Sequence, residues 1–145
     1  MNEADALARR CAATMWEEDA ASRGLGMTLE HIAAGCARMS MRVRKDMVNG
    51  HGLCHGGFIF ALADSAMAFA ASSHGERAVS QHNSIAYLRP AHAEETLSAV
   101  AEERSRSGRS GIYDVRVTGS SDGSVVAEFR GHARLSGGRF FTDAS

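Results

Sequence analysis

Residues 56–73 read GGFIFALADSAMAFAASS, and this stretch decides the fold. It opens on Gly56 and Gly57, continues as a long apolar run, and contains one ionisable residue, Asp64. A helix that is apolar on nearly every side has no face suited to water, so it must be buried. The stretch therefore predicts one long helix enclosed by the rest of the domain, with a single carboxylate inside it.

The flanking segments supply the material that could enclose this helix. Residues 5–18 have apolar side chains near helical spacing. The strand-like runs, bounded by glycine, proline and serine turns, are residues 27–32, 36–43, 78–88, 96–105, 111–118 and 125–135. A curved antiparallel sheet built from such strands can wrap a central helix. We therefore predict an α+β fold in a single domain of residues 1–145, with its core at about 27–138.

The composition argues against several classes of protein. A formal charge of −1 gives no basic footprint for nucleic acid. The cysteines, Cys11, Cys36 and Cys54, are odd in number and lack metal-ligand spacing, so we expect no disulfide framework. The apolar run 58–71 is short for a bilayer and holds a carboxylate, and residues 1–20 carry charges where a signal peptide is apolar. We expect a cytoplasmic protein with no nucleic-acid or membrane partner.

Asp64 is the first candidate for chemistry. Its neighbours along the helix are alanine, serine and methionine. A carboxylate without water around it has a raised pKa and is a better base than an exposed one. The structural alternative is that Asp64 lies at a helix edge, where it caps a strand or pairs with an arginine. Because buried aspartate is rare unless partnered, we favour a functional role.

The start of the helix is the complementary candidate. Free N–H groups and the positive end of the helix dipole favour negative charge there. Gly56 and Gly57 would also let a ligand carbonyl approach the backbone closely. Turns use glycine for conformational reasons alone, so these two residues are weak evidence by themselves. Together with Asp64, they offer an oxyanion donor and a base or nucleophile, the two parts needed for acyl transfer.

The spacing of these two groups predicts a dimer. Gly56 and Asp64 are eight residues apart, which is roughly 12 Å along a helix. Both groups must lie near one thioester carbonyl, so one chain cannot supply both. We predict that Gly56 of one subunit works with Asp64 of another.

The loop before the helix holds three further polar candidates. His51 and His55 have a spacing that could bind zinc on a helix, but the glycines around them indicate a loop, so we expect no metal. His55 would instead orient the loop or the thioester. Asn49 could hold a substrate carbonyl or a water molecule.

These motifs together resemble the PaaI branch of the hot-dog thioesterases, named for phenylacetic acid degradation. The matching segments are NGHGLCHGG at 49–57, FALAD at 60–64, YLRPA at 87–91, GIYDV at 111–115 and FRG at 129–131. The resemblance implies a six-stranded sheet around one helix and a homodimer with a continuous sheet, often paired again as a homotetramer. It also implies active sites at the dimer interface and no cofactor, since coenzyme A is part of the substrate.

The resemblance assigns roles residue by residue. It makes Asp64 the catalytic carboxylate and Gly56 the amide donor, with His55 and Asn49 in support. The candidates for binding substrate or CoA are Gly57, Ser80, Asn83, Arg89, Arg106 and Arg109, of which Ser80 could position water. The basic turn at 104–109 could equally be a solvated hairpin tip; arginines there would suit phosphates.

The resemblance predicts an acyl-CoA thioesterase, with aromatic, phenylacetyl-type acyl groups suggested by the name of the branch alone. One alternative is a hot-dog hydratase or dehydratase that uses His55 as its base. The other is an acyl-CoA-binding module without catalysis, against which the presence of Asp64 counts.

Overall fold

A computed structural model describes residues 1–141 of the chain. The helices are α1 (Glu3–Glu18), α2 (Ala20–Gly24) and α3 (Gly56–Ala71), and short 3₁₀ turns occupy Lys45–Met47 and Ser72–His74. The strands are β1 (Thr28–Ala33), β2 (Cys36–Arg42), β3 (Glu76–Tyr87), β4 (Thr96–Ser107), β5 (Ser110–Gly119) and β6 (Val125–Arg139).

The six strands form one antiparallel sheet in the order β1-β2-β4-β5-β6-β3. The β1–β2, β4–β5 and β5–β6 connections are tight turns, and each contains a glycine with positive φ: Gly35, Gly108 and Gly123. Helix α3 interrupts this meander and carries the chain to the far side, where β3 pairs with β6. Strand β3 is therefore an edge strand, and among residues 1–141 one side of its backbone has no partner strand.

Helix α3 lies in the concave side of the sheet, as its composition requires. Leu62, Ala63, Ala66, Met67 and Ala70 are fully buried. The facing strands alternate buried and accessible side chains, as in β5. The run Gly56–His74 has 19 residues with a mean hydropathy of 1.3, so it is long enough to cross a membrane by length and composition. The expectation of a run too short for a bilayer concerned residues 58–71, and the helical run is longer than that; its burial among the strands makes it the core helix of the domain.

The predicted architecture of helix, two strands, central helix and four strands is confirmed. The main differences are at the strand ends. Strand β6 continues to Arg139, past Gly137 and Gly138, because the start of β3 pairs with it there. The sequence prediction stopped at residue 135, since glycines usually interrupt strands. Helix α2 and both 3₁₀ turns were not predicted, because elements of three to five residues carry almost no periodicity.

Helix α1 covers the C-terminal end of α3. Its apolar face buries Ala8, Cys11 and Ala12, and the ring of Trp16 lies 6.3 Å from that of Phe69 on α3. The side chain of Asn2 caps the first turn by accepting from the Asp5 N–H. Helix α1 thus covers the C-terminal end of α3, whereas the N-terminal end of α3 lies beside the end of edge strand β3.

Candidate active site

Asp64 lies in the middle of α3 with its carboxylate against edge strand β3. Asn83 Nδ2 donates to Asp64 Oδ1 at 3.4 Å and also donates to Ser80 Oγ. Burial raises the pKa of the Asp64 carboxyl, and hydrogen bonds from Ser80 and Asn83 oppose that rise. Asp64 forms no ion pair with any of residues 1–141, so the alternative of an aspartate paired with an arginine is wrong. The chain holds a partly desolvated carboxylate beside two polar side chains.

The N-terminus of α3 presents its first amide without a partner. His55 is the N-cap, and its Nδ1 accepts from the Gly57 N–H at 3.0 Å. The Phe58 N–H donates to the His55 carbonyl at 3.0 Å. Within the described part of the chain, the Gly56 N–H has no acceptor. Of the first amides of the helix, Gly56 therefore retains the free donor that an oxyanion would use.

Tyr87, at the end of β3, was not identified as a site residue from the sequence. Its hydroxyl donates to the Gly56 carbonyl at 2.9 Å. The ring lies so close that a Cβ added to Gly56 would be 3.0 Å from Tyr87 Cζ. Glycine at position 56 thus lets the Tyr87 ring lie against the helix start, and a Cβ there would have to move the ring aside. The tyrosine stood inside a matching motif, but no sequence signal distinguished its hydroxyl from that of a core tyrosine.

Asn49 shapes the loop that leads to the helix. Its Oδ1 accepts from the N–H groups of His51 and Leu53, at 2.9 and 3.2 Å. Its own N–H donates to the Leu53 carbonyl at 2.7 Å. The side-chain oxygen is therefore occupied within the loop, which fits the supporting role of Asn49 better than direct contact with substrate. No three of the histidines, cysteines and carboxylates in residues 1–141 come close enough to hold a metal, and the absence of a metal cofactor stays a prediction.

Arg89 occupies an ion network away from the carboxylate. Its guanidinium binds Glu95 Oε2 at 2.8 Å, the Pro90 carbonyl at 2.9 Å and Ser124 Oγ at 2.6 Å. Glu95 is 6% exposed and also accepts from the N–H and the hydroxyl of Ser121. The hydrogen bonds from Arg89, outweighing burial, lower the pKa of Glu95 to about 2. These contacts give Arg89 a structural role in this turn, and its contact with CoA stays a prediction.

Arg106 and Arg109 project from the β4–β5 hairpin and are exposed. Their nearest charged partners are Glu103 and Glu76, each at 3.7 Å. The hairpin lies beside Ala71, at the C-terminal end of α3 and opposite the end that carries Gly56. Both guanidiniums thus remain available for an anionic ligand, and their contact with CoA stays a prediction.

The two proposed reacting groups remain apart within the chain. Gly56 and Asp64 are both on α3, which is one uninterrupted α-helix. Eight residues of α-helix correspond to roughly 12 Å. Asp64 faces β3, the open edge of the sheet, and not the helix start of its own chain.

Comparison with known proteins identifies the family to which this arrangement belongs. The family model for the thioesterase superfamily matches residues 51–126, from the loop before α3 to the start of β6. The chain belongs to the thioesterase superfamily. The matched segment includes Gly56, Asp64 and Tyr87, and the fold is the hot-dog fold predicted from the sequence.

Individual members of the superfamily place the chain more closely. It is 38% identical over 130 residues to the acyl-coenzyme A thioesterase PaaI of Escherichia coli K12, covering 90% of this chain and 92% of PaaI. The solved structure of the E. coli PaaI protein from the phenylacetic acid degradation operon matches with a TM-score of 0.91 and 37% identity, covering 94% of this chain and 99% of that one. A Streptococcus mutans UA159 protein solved with bound acetyl CoA matches with a TM-score of 0.74 and 26% identity, covering 78% and 90%. The predicted PaaI-like membership is confirmed, and the chain is a thioester hydrolase.

Proposed function

We propose that this protein hydrolyses acyl-CoA thioesters with Asp64 as the catalytic carboxylate and the Gly56 N–H as the oxyanion donor. The observation that carries the proposal is the state of Asp64, a partly buried carboxylate with a raised pKa and no cationic partner in residues 1–141. A paired or fully solvated carboxylate would be a weaker base.

The reaction needs few groups. The thioester carbonyl lies against the Gly56 N–H, which stabilises the negative charge that develops on its oxygen. Asp64 either takes a proton from the attacking water or attacks the carbonyl carbon itself to give a mixed anhydride, which water then opens. The C–S bond breaks and its electron pair leaves with the CoA thiolate. The products are a carboxylic acid and free CoA, and no redox change occurs.

A dimer across the β3 edge supports this chemistry. Strand β3 leaves its backbone edge open and exposes Val79 and Tyr87 to 54% and 49%, and Leu88, directly after the strand, is 60% exposed. A long edge strand with exposed apolar side chains favours pairing with another chain. Because Asp64 faces this same edge, a second copy paired there would bring its own helix N-terminus towards the carboxylate. Pairing of two such dimers into a tetramer is part of the same proposal.

The state of His55 favours hydrolysis over hydration. Its Nδ1 accepts a backbone N–H, so the neutral ring carries its hydrogen on Nε2. A hydratase that used His55 as base would need a free lone pair on the nitrogen facing the substrate. In this tautomer Nε2–H is instead a donor, suited to the thioester carbonyl. The structure therefore supports His55 as a supporting donor.

Two groups of side chains suggest where the acyl and CoA portions of the substrate bind. The aromatic side chains of Phe58 and Tyr87 lie at the helix start, with the Phe58 ring 6.1 Å from that of His55. Together with the operon of the E. coli relative, this favours an aromatic acyl group of the phenylacetyl class. Arg106 and Arg109 are our candidates for the CoA phosphates.

Thiol release from a panel of acyl-CoA esters tests the activity. We expect phenylacetyl-CoA to be turned over with a higher kcat/KM than short or medium aliphatic esters. Asp64→Ala should reduce kcat to background in a protein that remains folded by circular dichroism. Retention of near-wild-type turnover in that variant would remove Asp64 from the mechanism, and loss of enoyl absorbance without thiol release would favour the hydratase.

Mixing two inactive variants tests the shared site. Gly56→Pro removes the donor N–H at the first helical position, where proline suits the helix start and where His55 already has an extended backbone. Its Cβ would lie 3.0 Å from Tyr87 Cζ, so the half-exposed Tyr87 ring must move aside by a few tenths of an ångström, and circular dichroism checks that the variant is folded. A mixed dimer of Gly56→Pro and Asp64→Ala chains contains one intact site if the groups come from different subunits. After unfolding and refolding the two together, about a quarter of wild-type activity should return by random pairing. No recovery, with mixed dimers demonstrated by mass spectrometry, would place both groups in one chain.

A further inference from the structure

We propose that Tyr87 is a positioning residue for the oxyanion donor, acting through the peptide between Gly56 and Gly57. This inference rests on the proposed function, because it concerns how the Gly56 amide is held. It goes beyond it by assigning a role to a side chain on a different element, the end of edge strand β3.

The geometry links three groups in series. The Tyr87 hydroxyl donates to the Gly56 carbonyl at 2.9 Å, and the N–H of that same peptide unit, on Gly57, donates to His55 Nδ1 at 3.0 Å. One peptide plane is therefore held from both of its polar ends. Since a peptide is rigid, fixing this plane also fixes the ψ angle of Gly56, the residue whose own N–H remains free.

The contact between the Tyr87 ring and Gly56 also restricts the backbone freedom that glycine would bring. Gly56 and Gly57 in succession would otherwise allow the start of the helix to adopt several conformations. The Tyr87 ring lies against Gly56, where an added Cβ would be 3.0 Å from Cζ, so the ring limits the movement of the backbone. An oxyanion donor contributes most when it is oriented before the reaction begins.

The hydroxyl is suited to this task at neutral pH. Burial, with a smaller contribution from Cys54, raises the pKa of Tyr87, so the phenol keeps its hydrogen. A hydrogen bond to the Gly56 carbonyl polarises the peptide and strengthens its N–H as a donor to His55. That in turn favours the tautomer in which His55 carries its hydrogen on Nε2.

The test is Tyr87→Phe, which removes one oxygen and keeps the ring against Gly56. We expect kcat for thiol release to fall about three- to tenfold, the range for loss of one neutral hydrogen bond, while KM changes less than twofold. In ¹⁵N NMR spectra, the Gly57 amide should exchange faster with solvent and the ring nitrogens of His55 should shift. A residue that acted only through general stability would leave these local signals unchanged.

Tyr113→Phe is the matched control. Tyr113 is the other tyrosine of the chain, 2% exposed, and its hydroxyl donates to Glu103 Oε1 at 2.7 Å. This variant should lose stability but keep kcat and the Gly57 signal. Wild-type kcat in Tyr87→Phe, or a loss confined to KM, would overturn the role of Tyr87 while leaving the proposed function intact. A wild-type protein that releases no thiol from any ester would instead overturn the proposed function.

Discussion

At the scale of single residues, Asp64 is kept at a cost to folding. Burial raises the pKa of its carboxyl, so the folded protein holds a proton there more tightly than the unfolded chain does. Stability from this residue is therefore full at acid pH and decreases as the pH rises through the folded pKa. Catalysis shows the opposite dependence, because the ionised form is the reactive one.

Asp64→Asn should separate these two effects. We expect it to raise the melting temperature at pH 7 and to abolish thiol release, because the amide needs no charge in the apolar site and cannot act as a base. The gain in melting temperature should shrink as the pH falls through the raised pKa of Asp64, because the wild-type carboxyl then becomes protonated too. Calorimetry at several pH values measures this. A lower melting temperature for the variant at pH 7 would contradict the desolvation of Asp64.

Some of these residues could be identified from the sequence, and others could not. Asp64 and Gly56 could be identified because a lone carboxylate in an apolar helix and a glycine pair at its start are local signals. Tyr87 and Glu95 could not: the partner of Tyr87, Gly56, is 31 positions away, and the side chains that bind Glu95, Arg89 and Ser121, are 6 and 26 positions away. Tyr87 reaches Gly56 because of the register of β3, and Glu95 reaches its partners because of the fold of the loop after β3. The sequence pattern determines neither.

At the scale of elements, the turn between β3 and β4 depends on one buried ion pair. Arg89→Ala leaves the buried Glu95 carboxylate without its cation, held only by hydrogen bonds from His92 and Ser121, so we expect the free energy of unfolding to fall by about 3 kcal/mol in urea titrations. The KM for acyl-CoA should stay within twofold. A large rise in KM with little loss of stability would restore Arg89 as a CoA ligand.

Replacement of both members provides the control for this pair. A combined Arg89→Met and Glu95→Leu change should recover much of the lost stability, because no charge then remains buried. The pair should also weaken in acid. Since the pKa of Glu95 is lowered from 4.5 to about 2, its contribution is present above about pH 4.5 and is lost as the pH falls towards 2.

The elements themselves were largely predictable from the sequence. Alternation in β2 and the turn glycines gave the strands, and the apolar run gave α3. The strand order could not be read in this way, because no local pattern specifies that β3 crosses to pair with β6. The resemblance to the hot-dog thioesterases supplied a six-stranded sheet around one helix, which the match to E. coli PaaI confirms, and the structure adds the strand order.

At the scale of the whole molecule, assembly should depend on the edge formed by β3. A lysine at the exposed Val79 would place a charge on that edge and disfavour pairing. We expect Val79→Lys to sediment as a smaller species and to lose most of its thiol release. Thr28→Lys, on the exposed surface of the opposite edge strand β1, should alter neither. An active Val79→Lys monomer would contradict the shared site.

The cysteines of the folded molecule should be unreactive. Burial raises the pKa of Cys11 and Cys36, and it raises that of Cys54 to about 11, with a smaller effect from Glu95. Thiolates are the reactive form, so an aromatic disulfide reagent at pH 8 should label the native chain slowly and all three thiols after denaturation. Rapid labelling of one thiol in the native state would contradict this, and Cys36→Ser would identify the more accessible residue.

Strand β3 supports Asp64 through Asn83 and supports Gly56 through Tyr87. In a two-fold assembly with shared sites, those supports serve different catalytic centres. Defects in Asn83 and Tyr87 carried by the same chain would therefore leave each centre with one fault. The same two defects divided between the chains would concentrate both faults in one centre and spare the other. Two kinds of dimer that contain the same two substitutions should therefore differ in rate, depending only on whether one chain carries both substitutions or each chain carries one.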